Sequence, residues 1–361
     1  MLKKKCEKKD AMKKYIIAYR LYKEKVDQEL FHAGGKAVED VYKFALKEGY
    51  EPLFIVQYKN SNSIFVKILN RFFSLFSWLR VVKRIKRGDC VFMQGPDSRR
   101  QLGSNWGHKT ISRKAHVIFL VHDIESIRTP GNKKAIRDER FIRKFSQVLI
   151  VHNEKMKQYC IEQGVADKSL ISLQIFDYYC EGDPMAQGEG VAVAGNLDRN
   201  KSPYVYLLDK LGIKLELFGP NYSGGQKGGV RYNGAVPADV LPNVLKGRFG
   251  LIWDGNAVDT CSGATGNYLR YNNPHKTSLY LCAGIPVIIW EEAAMAQLIL
   301  KYNLGFTVNS LYDIQLRLAT LTDTEYDQMK QSAKEMSRKL RHGYFTSLAI
   351  KEAEKRVMEG L

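Results

Sequence analysis

Residues 260–290 read TCSGATGNYLRYNNPHKTSLYLCAGIPVIIW, and they carry the strongest structural signal in the chain. The first part is polar and rich in Asn, Gly and Ser, and the second part is almost wholly apolar. The pattern predicts a helix that begins near His275, a tight turn and a buried parallel strand from Val287. Such a helix start suits an anion, because its unpaired backbone N–H groups and the helix dipole favour negative charge. We expect a nucleotide diphosphate there, although Thr and Ser are also common caps of ordinary helices.

The first half of the chain alternates short apolar runs with stretches of helical pattern. The apolar runs are typical of parallel strands that are buried on both faces. Predicted strands cover residues 14–19, 53–56, 90–93, 117–121 and 147–151, and predicted helices cover 36–48, 137–145 and 155–163. This order predicts a Rossmann-like, doubly wound domain over residues 1–176.

The second half repeats the alternation after a break. Residues 177–190 contain several Gly and Pro without periodicity, and we expect them to form a linker. A second series of apolar runs, which predicts a Rossmann-like domain over residues 191–340, lies at 191–194, 215–218, 249–253, 287–289 and 305–308. The predicted fold class is therefore α/β, with two doubly wound domains facing a cleft. A chain of 361 residues is long enough to bury both cores.

Six segments together resemble one family of enzymes. They are residues 121–125 (VHDIE), 175–178 (IFDY), 194–201 (AGNLDRNK), 217–219 (LFG), 249–255 (FGLIWDG) and 260–278. In this order they are similar to landmarks of the bacterial galactofuranosyltransferases of O-antigen and capsule synthesis, in particular the β-1,6-galactofuranosyltransferase type. More distantly, they resemble the glucosyltransferases that extend O-glycans on streptococcal adhesins. The resemblance covers nearly the whole chain and implies a GT-B glycosyltransferase whose last helix, in residues 341–361, packs back toward the first domain.

The resemblance also implies an activity. It points to an inverting transferase that moves β-galactofuranose from UDP-galactofuranose to a sugar hydroxyl of a lipid-linked polysaccharide repeat-unit intermediate. Two alternatives stay open. One is a transferase of the same fold that uses UDP-glucose or another UDP-hexopyranose, and the other is a protein that binds nucleotide sugars or membranes without turnover. The sequence contains no residue that we can identify as selecting galactofuranose over glucose.

Donor contacts are expected after the strands of the second domain, because ligands of doubly wound sheets bind outside the carboxyl ends of the strands. Arg199 offers a planar fork for two phosphate oxygens and Lys276 offers a point charge, and the resemblance implies a diphosphate at both. Asp254 could bind a ribose or sugar hydroxyl, or it could cap the following turn. The expected donor contacts are Gly195, Asn196, Arg199, Phe218, Gly219, Asp254, Asn273, His275, Lys276, Thr277 and Ser278.

We expect neither a metal ion nor a cofactor besides the UDP-sugar substrate. No D-x-D spacing occurs in the chain, so Arg199, Lys276 and the helix dipole would stabilise the departing UDP in place of a divalent cation. The six cysteines include no C-x-x-C pair, which argues against a zinc site and against a disulfide framework.

The acceptor hydroxyl needs a general base. Asp123 directly follows a predicted strand, at the carboxyl end that would face the other domain, and it is the predicted catalytic base. The alternative for Asp123 is a helix cap or a structural acid. Asp177 is a second candidate base or a hinge acid. The expected acceptor contacts are Gly34, Gly35 and His122.

The formal net charge of +18 indicates an acidic or membrane-like partner, or else a solvated basic surface. Residues 52–88 contain no Asp or Glu, and residues 65–87 place apolar and basic side chains largely on different faces of a helix. Such a helix can lie in the interface of an anionic bilayer, or its apolar face can pack on the first sheet. The predicted membrane contacts are Phe72, Phe73, Phe76, Trp78, Arg80, Lys83 and Arg84.

Nucleic acid is not an expected partner, because no helix-turn-helix, ribonucleoprotein or zinc-finger pattern is present. The sequence has no uncharged apolar run of about 18 residues or more, and no apolar signal region follows its Lys-rich start. We therefore expect a cytoplasmic protein that is peripheral on the inner face of the plasma membrane. Its expected partners are UDP-galactofuranose, a lipid-linked glycan acceptor and the anionic membrane surface. The acceptor, the linkage position and any homo-oligomer are left open by the sequence.

Overall fold

The computed structural model describes residues 12–22, 33–58, 63–95, 102–184, 186–226 and 228–360. These residues form two six-stranded sheets in which every strand pair is parallel. Helices flank both sheets. The predicted α/β class with two Rossmann-like, doubly wound domains is confirmed.

The first domain alternates strands and helices. In chain order they are β1 (Lys14–Leu21), α1 (Ala33–Lys47), β2 (Glu51–Gln57), α2 (Ile64–Arg84), β3 (Cys90–Gly95), α3 (Ser104–Ser112), β4 (His116–Val121), α4 (Glu125–Arg128), α5 (Lys133–Phe145), β5 (Val148–Val151), α6 (Glu154–Glu162) and β6 (Leu170–Ser172). The strand order across the sheet is β2-β1-β3-β4-β5-β6, and Val91 of β3 lies beside Val117 of β4. The sequence pattern did not predict β6, because three residues are too few to show a period.

The chain then forms a second sheet and a final pair of long helices. In chain order the elements are β7 (Val191–Ala194), β8 (Leu215–Phe218), β9 (Val230–Tyr232), α7 (Leu241–Val244), β10 (Phe249–Ile252), α8 (Gly263–Tyr268), α9 (His275–Cys282), β11 (Val287–Trp290), α10 (Ala296–Lys301), β12 (Gly305–Val308), α11 (Asp313–Thr320), α12 (Asp323–His342) and α13 (Tyr344–Glu359). The strand order is β12-β11-β10-β7-β8-β9, which is the order of dinucleotide-binding folds.

Burial explains why the second domain could be predicted from its apolar runs. Strands β7, β10 and β11 are buried along their whole length, as expected for parallel strands that helices cover on both faces. Helix α9 is buried from Thr277 to Cys282, because it packs against β10, β11 and α12. These contacts hold the start of α9 in a defined place beside the strands.

Helix α2 turns its larger apolar face outward. Its buried side, which packs on β2 and α3, consists of Ser74, Ser77, Trp78 and Val81. Trp78 is fully buried, and a carbon added at Gly107 would lie 2.2 Å from its ring. The predicted membrane contact at Trp78 is therefore wrong. Phe73 is half-buried against the rings of Tyr22 and Tyr58, at 5.3 and 5.6 Å between centroids.

The last helix crosses back to the first domain, where α13 packs against α1, β4, β5 and β6. The buried Asp177 carboxylate accepts hydrogen bonds from the backbone N–H groups of Phe345 (3.3 Å) and Thr346 (2.6 Å). Burial raises the pKa of Asp177 to about 7, although these hydrogen bonds act to lower it. Because both carboxylate oxygens hold the start of α13, we interpret Asp177 as the hinge acid and not as the base.

A buried ion-pair cluster also joins the domains. The ammonium of Lys36, on α1, lies 2.5 Å from Asp40 and 2.7 Å from Asp239, which precedes α7 in the second domain. The same ammonium donates to the carbonyl of Tyr179 at 2.7 Å. Burial raises the pKa of Asp40 to about 7, against the opposing effect of Lys36. The three partners compensate a lysine side chain that is wholly removed from solvent.

Asn273 forms a further link between the domains. Its backbone N–H donates to Nδ1 of His152 (2.9 Å), and its side-chain nitrogen donates to the carbonyls of His152 (2.6 Å) and Gln174 (3.0 Å). Its side-chain oxygen accepts from Nδ2 of Asn153 at 2.7 Å. All of these side-chain hydrogen bonds of Asn273 run to the first domain. The predicted donor contact at Asn273 is therefore wrong for its side chain.

Three histidines surround the ring of Phe176 beside this link. The rings of His122, His152 and His275 lie 5.5, 4.9 and 6.1 Å from it. Burial lowers the pKa of His122 to about 3, of His152 to about 4 and of His275 to about 3. All three imidazoles are therefore neutral near pH 7, and the junction gains no charge from them.

The His152→Asn variant should lose less stability on acidification than the wild type. The pKa of His152 is about 4 in the folded chain and about 6.5 in the unfolded chain, so the unfolded state binds the proton first as the pH falls. The stabilising contribution is complete above about pH 6.5 and is lost as the pH falls toward 4. Between pH 7 and 5, the wild type should lose about 2 kcal/mol more unfolding free energy than the variant in urea denaturation.

Asn retains an acceptor near the position of Nδ1, which keeps the bond from Asn273. The exposed His342→Asn substitution is the control for the change of residue type. An equal loss of stability in the wild type and in His152→Asn would contradict the assignment of a buried, neutral His152.

Candidate active site

The strand order of the second sheet reverses between β7 and β10. Ligands of open α/β sheets bind outside the carboxyl ends of the strands at such a switch point. Gly195 directly follows β7, Asp254 follows β10, and α9 brings Lys276 to the same place. The Lys276 ammonium lies 3.0 Å from Oδ1 of Asp254 and 3.4 Å from the carbonyl oxygen of Trp253. The tertiary structure thus brings three of the predicted donor residues together.

Two of the predicted donor glycines form tight turns beside Lys276. Gly195 and Gly219 have φ angles of +145° and +139°, a region that other residues rarely adopt. A carbon added at Gly219 would lie 1.8 Å from the carbonyl oxygen of Gly195, and one added at Gly195 would lie 3.3 Å from Cε of Lys276. The carboxyl ends of β7 and β8 therefore meet in a narrow turn that admits no side chain next to the lysine.

Lys276 is held as a cation. Burial acts to lower the pKa of Lys276, but the Asp254 carboxylate and the hydroxyls of Tyr204 and Tyr280 outweigh burial and raise it above its ordinary value. Tyr280 also accepts a hydrogen bond from the backbone N–H of Ala194 at 2.7 Å. About a quarter of the lysine side chain is exposed. An incoming anion can therefore reach a charge that Asp254 already orients.

Arg199 lies on a loop that its neighbours hold in shape. Oδ1 of Asn196 accepts from the backbone N–H of Asp198 at 3.0 Å, and the hydroxyl of Ser202 donates to the carbonyl of Asn196 at 2.9 Å. The Arg199 side chain is exposed, and its guanidinium stacks over the ring of Tyr206 at 4.3 Å. Among the described residues, Arg199 has no carboxylate partner, so its donors are available to a ligand.

The remaining predicted donor contacts differ in how their side chains are used. Phe218, Thr277 and Ser278 are buried, and the hydroxyl of Ser278 donates to the carbonyl of Phe176 at 2.7 Å. The His275 ring stacks on Tyr178 at 4.9 Å. Packing therefore uses Phe218 and the Ser278 hydroxyl, whereas Nε2 of His275 and Oγ1 of Thr277 are buried with no hydrogen-bond partner among the described residues, and their donor roles stay predictions.

The predicted acceptor contacts lie in the first domain. Gly34 and Gly35 belong to the first turn of α1 and not to a loop before it. Nε2 of His122 is engaged with Oε1 of Gln94 at 2.8 Å. Gln94 of the first domain thus orients the His122 ring, and the acceptor roles of Gly34, Gly35 and His122 stay predictions.

Asp123 lies just beyond β4 and contacts the second domain. Its carboxylate is 3.6 Å from Arg128 and is about two-fifths exposed. Tyr268, which ends α8, accepts a hydrogen bond from the backbone N–H of Ile124 at 2.8 Å. Partial burial raises the pKa of Asp123, and Arg128 opposes the shift. A carboxylate with a raised pKa at a domain interface suits proton transfer.

The sequence reasoning missed several groups that shape these two places. Tyr204 and Tyr280 lie beside Lys276, and Arg128 and Tyr268 lie beside Asp123. Tyr268 lies within the polar segment 260–278, and this position is the sequence signal that could have identified it. In the part of the chain that the structure describes, no group of three or more His, Cys, Asp or Glu is arranged to hold a metal ion.

Two family descriptions match nearly the whole chain. Glucosyltransferase 3-like, N-terminal domain, matches residues 14–175, and Glucosyltransferase 3-like, C-terminal domain, matches residues 191–353. The β-1,6-galactofuranosyltransferase WbbI of Escherichia coli K12 is 36% identical over 66% of this chain and 71% of that protein. Glucosyltransferase 3 of Streptococcus gordonii is 27% identical over 90% of this chain and 94% of that protein.

The fold is also shared with solved structures. Sucrose-phosphate synthase from Thermosynechococcus elongatus superposes with a TM-score of 0.62 at 12% identity, over 97% of this chain and 100% of that one. At this level of identity the likeness establishes the fold alone. Two Rossmann-like domains, the switch point at Lys276 and both family matches agree, and this chain belongs to the Glucosyltransferase 3-like family of GT-B glycosyltransferases.

Proposed function

We propose that this enzyme is an inverting transferase that moves galactofuranose from UDP-galactofuranose to a sugar hydroxyl of a lipid-linked glycan. The observation that carries the proposal is the Lys276 ammonium at the switch point of the second sheet, oriented by Asp254 and bordered by Gly195. The choice of sugar is supported by the 36% identity to a protein named as a galactofuranosyltransferase.

The departing UDP requires stabilisation of its negative charge. In the proposed reaction, phosphate oxygens replace Asp254 as partners of Lys276, and Arg199 reaches further oxygens with its unpaired guanidinium. A fixed lysine and an arginine fork supply this charge without proton exchange. Together with the lack of a D-x-D spacing, this supports transfer that does not depend on a metal ion.

Asp123 is the proposed base. The acceptor oxygen attacks the anomeric carbon from the face opposite UDP, its proton passes to Asp123, and the bond between that carbon and the UDP oxygen breaks. The α-linked donor thereby gives a β-linked product. The Tyr268 hydroxyl of the second domain accepts from the backbone N–H of Ile124, next to the base, and so ties this loop to the second domain.

A second candidate function has specific support. The match to Glucosyltransferase 3 of Streptococcus gordonii covers 94% of that protein, and the family descriptions carry the same name. A UDP-glucose transferase would use the same diphosphate contacts and would differ only around the sugar.

Transfer to lipid-linked glucosides and galactosides should occur from UDP-galactofuranose, generated in situ by a mutase, and should persist in excess EDTA. Parallel reactions contain UDP-glucose and UDP-galactopyranose, and radiolabelled product is counted. Transfer from a pyranose donor alone would mean that the enzyme uses a UDP-hexopyranose, as in the second candidate function. A strict requirement for Mn²⁺ or Mg²⁺ would overturn the metal-independent mechanism, and UDP binding without transfer from any donor would favour a non-catalytic protein.

Lys276→Gln should weaken UDP binding about tenfold or more, because it removes a charge-assisted contact to the diphosphate. Isothermal titration with UDP measures the effect. The double variant Lys276→Gln/Asp254→Asn also removes the carboxylate that the single variant leaves uncompensated. Its UDP binding should remain weak. Lys301→Gln, at an exposed lysine on α10, is the matched control. Restored affinity in the double variant would mean that Lys276 only neutralises Asp254.

Asp123→Asn should lower kcat by about 10²–10⁴-fold while UDP affinity stays unchanged, because the amide cannot accept the proton. The hydrogen bond between the Ile124 backbone N–H and the Tyr268 hydroxyl does not involve the carboxylate, so the local structure is retained. Initial rates at saturating donor and acceptor measure the effect, and Asp259→Asn, at an exposed acid, is the control. Near-normal turnover in Asp123→Asn would rule out Asp123 as the base.

A further inference from the structure

The outer face of α2 is a continuous apolar surface. Seven large apolar side chains on this helix are between 41% and 79% exposed, and they are Ile64, Phe65, Ile68, Leu69, Phe72, Phe76 and Leu79. At about 3.6 residues per turn, they form one stripe opposite the buried side of the helix. A helix that packed its hydrophobic face on the sheet would show the reverse arrangement.

Hydrogen bonds prevent α2 from rotating to bury this stripe. The hydroxyl of Ser77 donates to the carbonyl of Phe73 (2.7 Å) and accepts from the backbone N–H of Val56 on β2 (3.1 Å). The hydroxyl of Ser74 donates to the carbonyl of Leu102 at 3.0 Å. Small polar residues thus face the sheet, and the exposed stripe is a stable feature of the fold.

Cations flank the stripe on both sides. By helical geometry, Lys67 and Arg71 lie on one side of the stripe and Arg80 and Arg84 on the other, and Lys83 continues the line of the stripe beyond Leu79 at the end of the helix. Arg84 lies 3.9 Å from Glu51, whereas Lys67, Arg71, Arg80 and Lys83 have no carboxylate partner among the described residues. Residues 52–88 contain no acid, so the positive charge of this surface is uncompensated locally.

We propose that the outer face of α2 binds an anionic lipid bilayer, with the helix axis parallel to the membrane plane. The aromatic and aliphatic stripe would enter the boundary between headgroups and acyl chains, while the flanking lysines and arginines contact lipid phosphates. The adjoining turn and α3 expose two more large apolar side chains, Leu102 and Trp106, next to α2. No helix among the described residues is long and apolar enough to span a membrane.

A bilayer fits this surface better than a protein partner does. The central parts of protein interfaces are depleted in lysine, and an apolar stripe bordered by unpaired cations would need matching acids on a partner. Long basic side chains at a membrane surface keep their ammonium and guanidinium groups in water while their stems cover apolar surface. The surface lies on the first domain, so the proposal does not depend on which donor sugar the second domain binds.

Vesicle co-sedimentation of the full chain, without donor or acceptor, tests the proposal. We expect binding to vesicles of phosphatidylglycerol and phosphatidylethanolamine, weak binding to phosphatidylcholine, and release by added salt. Phe72→Ser/Phe76→Ser should weaken binding about tenfold or more, because two exposed rings no longer leave water. Arg80→Gln/Lys83→Gln should weaken it on the order of tenfold at low salt.

The controls are matched by position and chemistry. Leu316→Ser, at an exposed leucine on α11, and Lys155→Gln/Lys355→Gln, at exposed lysines on α6 and α13, should bind vesicles like the wild type. Urea denaturation confirms that each variant folds, which we expect because the altered side chains are on the surface. Equal binding to anionic and neutral vesicles, or no binding at all, would overturn the proposal. Self-association in sedimentation velocity that Phe72→Ser/Phe76→Ser abolishes, without vesicle binding, would replace the bilayer by a second copy of the chain.

Discussion

The buried amide of Asn273 is the contact on which the arrangement of the cleft depends. It bonds to His152, Asn153 and Gln174 of the first domain, and it stands directly before the turn that starts α9. Lys276 therefore has its position relative to both domains set by one fully satisfied group. A buried amide tolerates no unpaired donor or acceptor, which makes this junction specific as well as stable.

The two domains divide the chemistry between them. In the proposed reaction the second carries the charges for a diphosphate, with Lys276 oriented by Asp254 and Arg199 exposed on its loop. The first would supply Asp123 as the base, and the Tyr268 hydroxyl of the second domain bonds to the neighbouring backbone N–H of Ile124. Around the junction, neutral histidines and the enclosed Lys36 cluster keep uncompensated charge away from the interface. Charge is thus concentrated where a ligand can meet it.

Part of the basic composition lies on the exposed side of α2. Serines on the inner side of α2 hold the helix to β2, and this leaves its aromatic side in contact with solvent. The same chain can therefore combine the proposed donor site with a surface suited to a lipid interface. A transferase whose acceptor is lipid-linked would work close to that interface, and the proposed surface lies on the domain that carries Asp123.

The α/β class, the two domains and nearly every central strand could be predicted from the sequence alone, because buried parallel strands and helix starts leave local patterns. It did not separate ligand contacts from packing: Asn273, Ser278 and Trp78 have the residue types of a site or surface, and each is buried and held by its neighbours. Only the tertiary structure decided this, since burial depends on which distant segments meet. The pairing of Lys276 with Asp254 and of Ile124 with Tyr268 likewise joins residues that no local period relates.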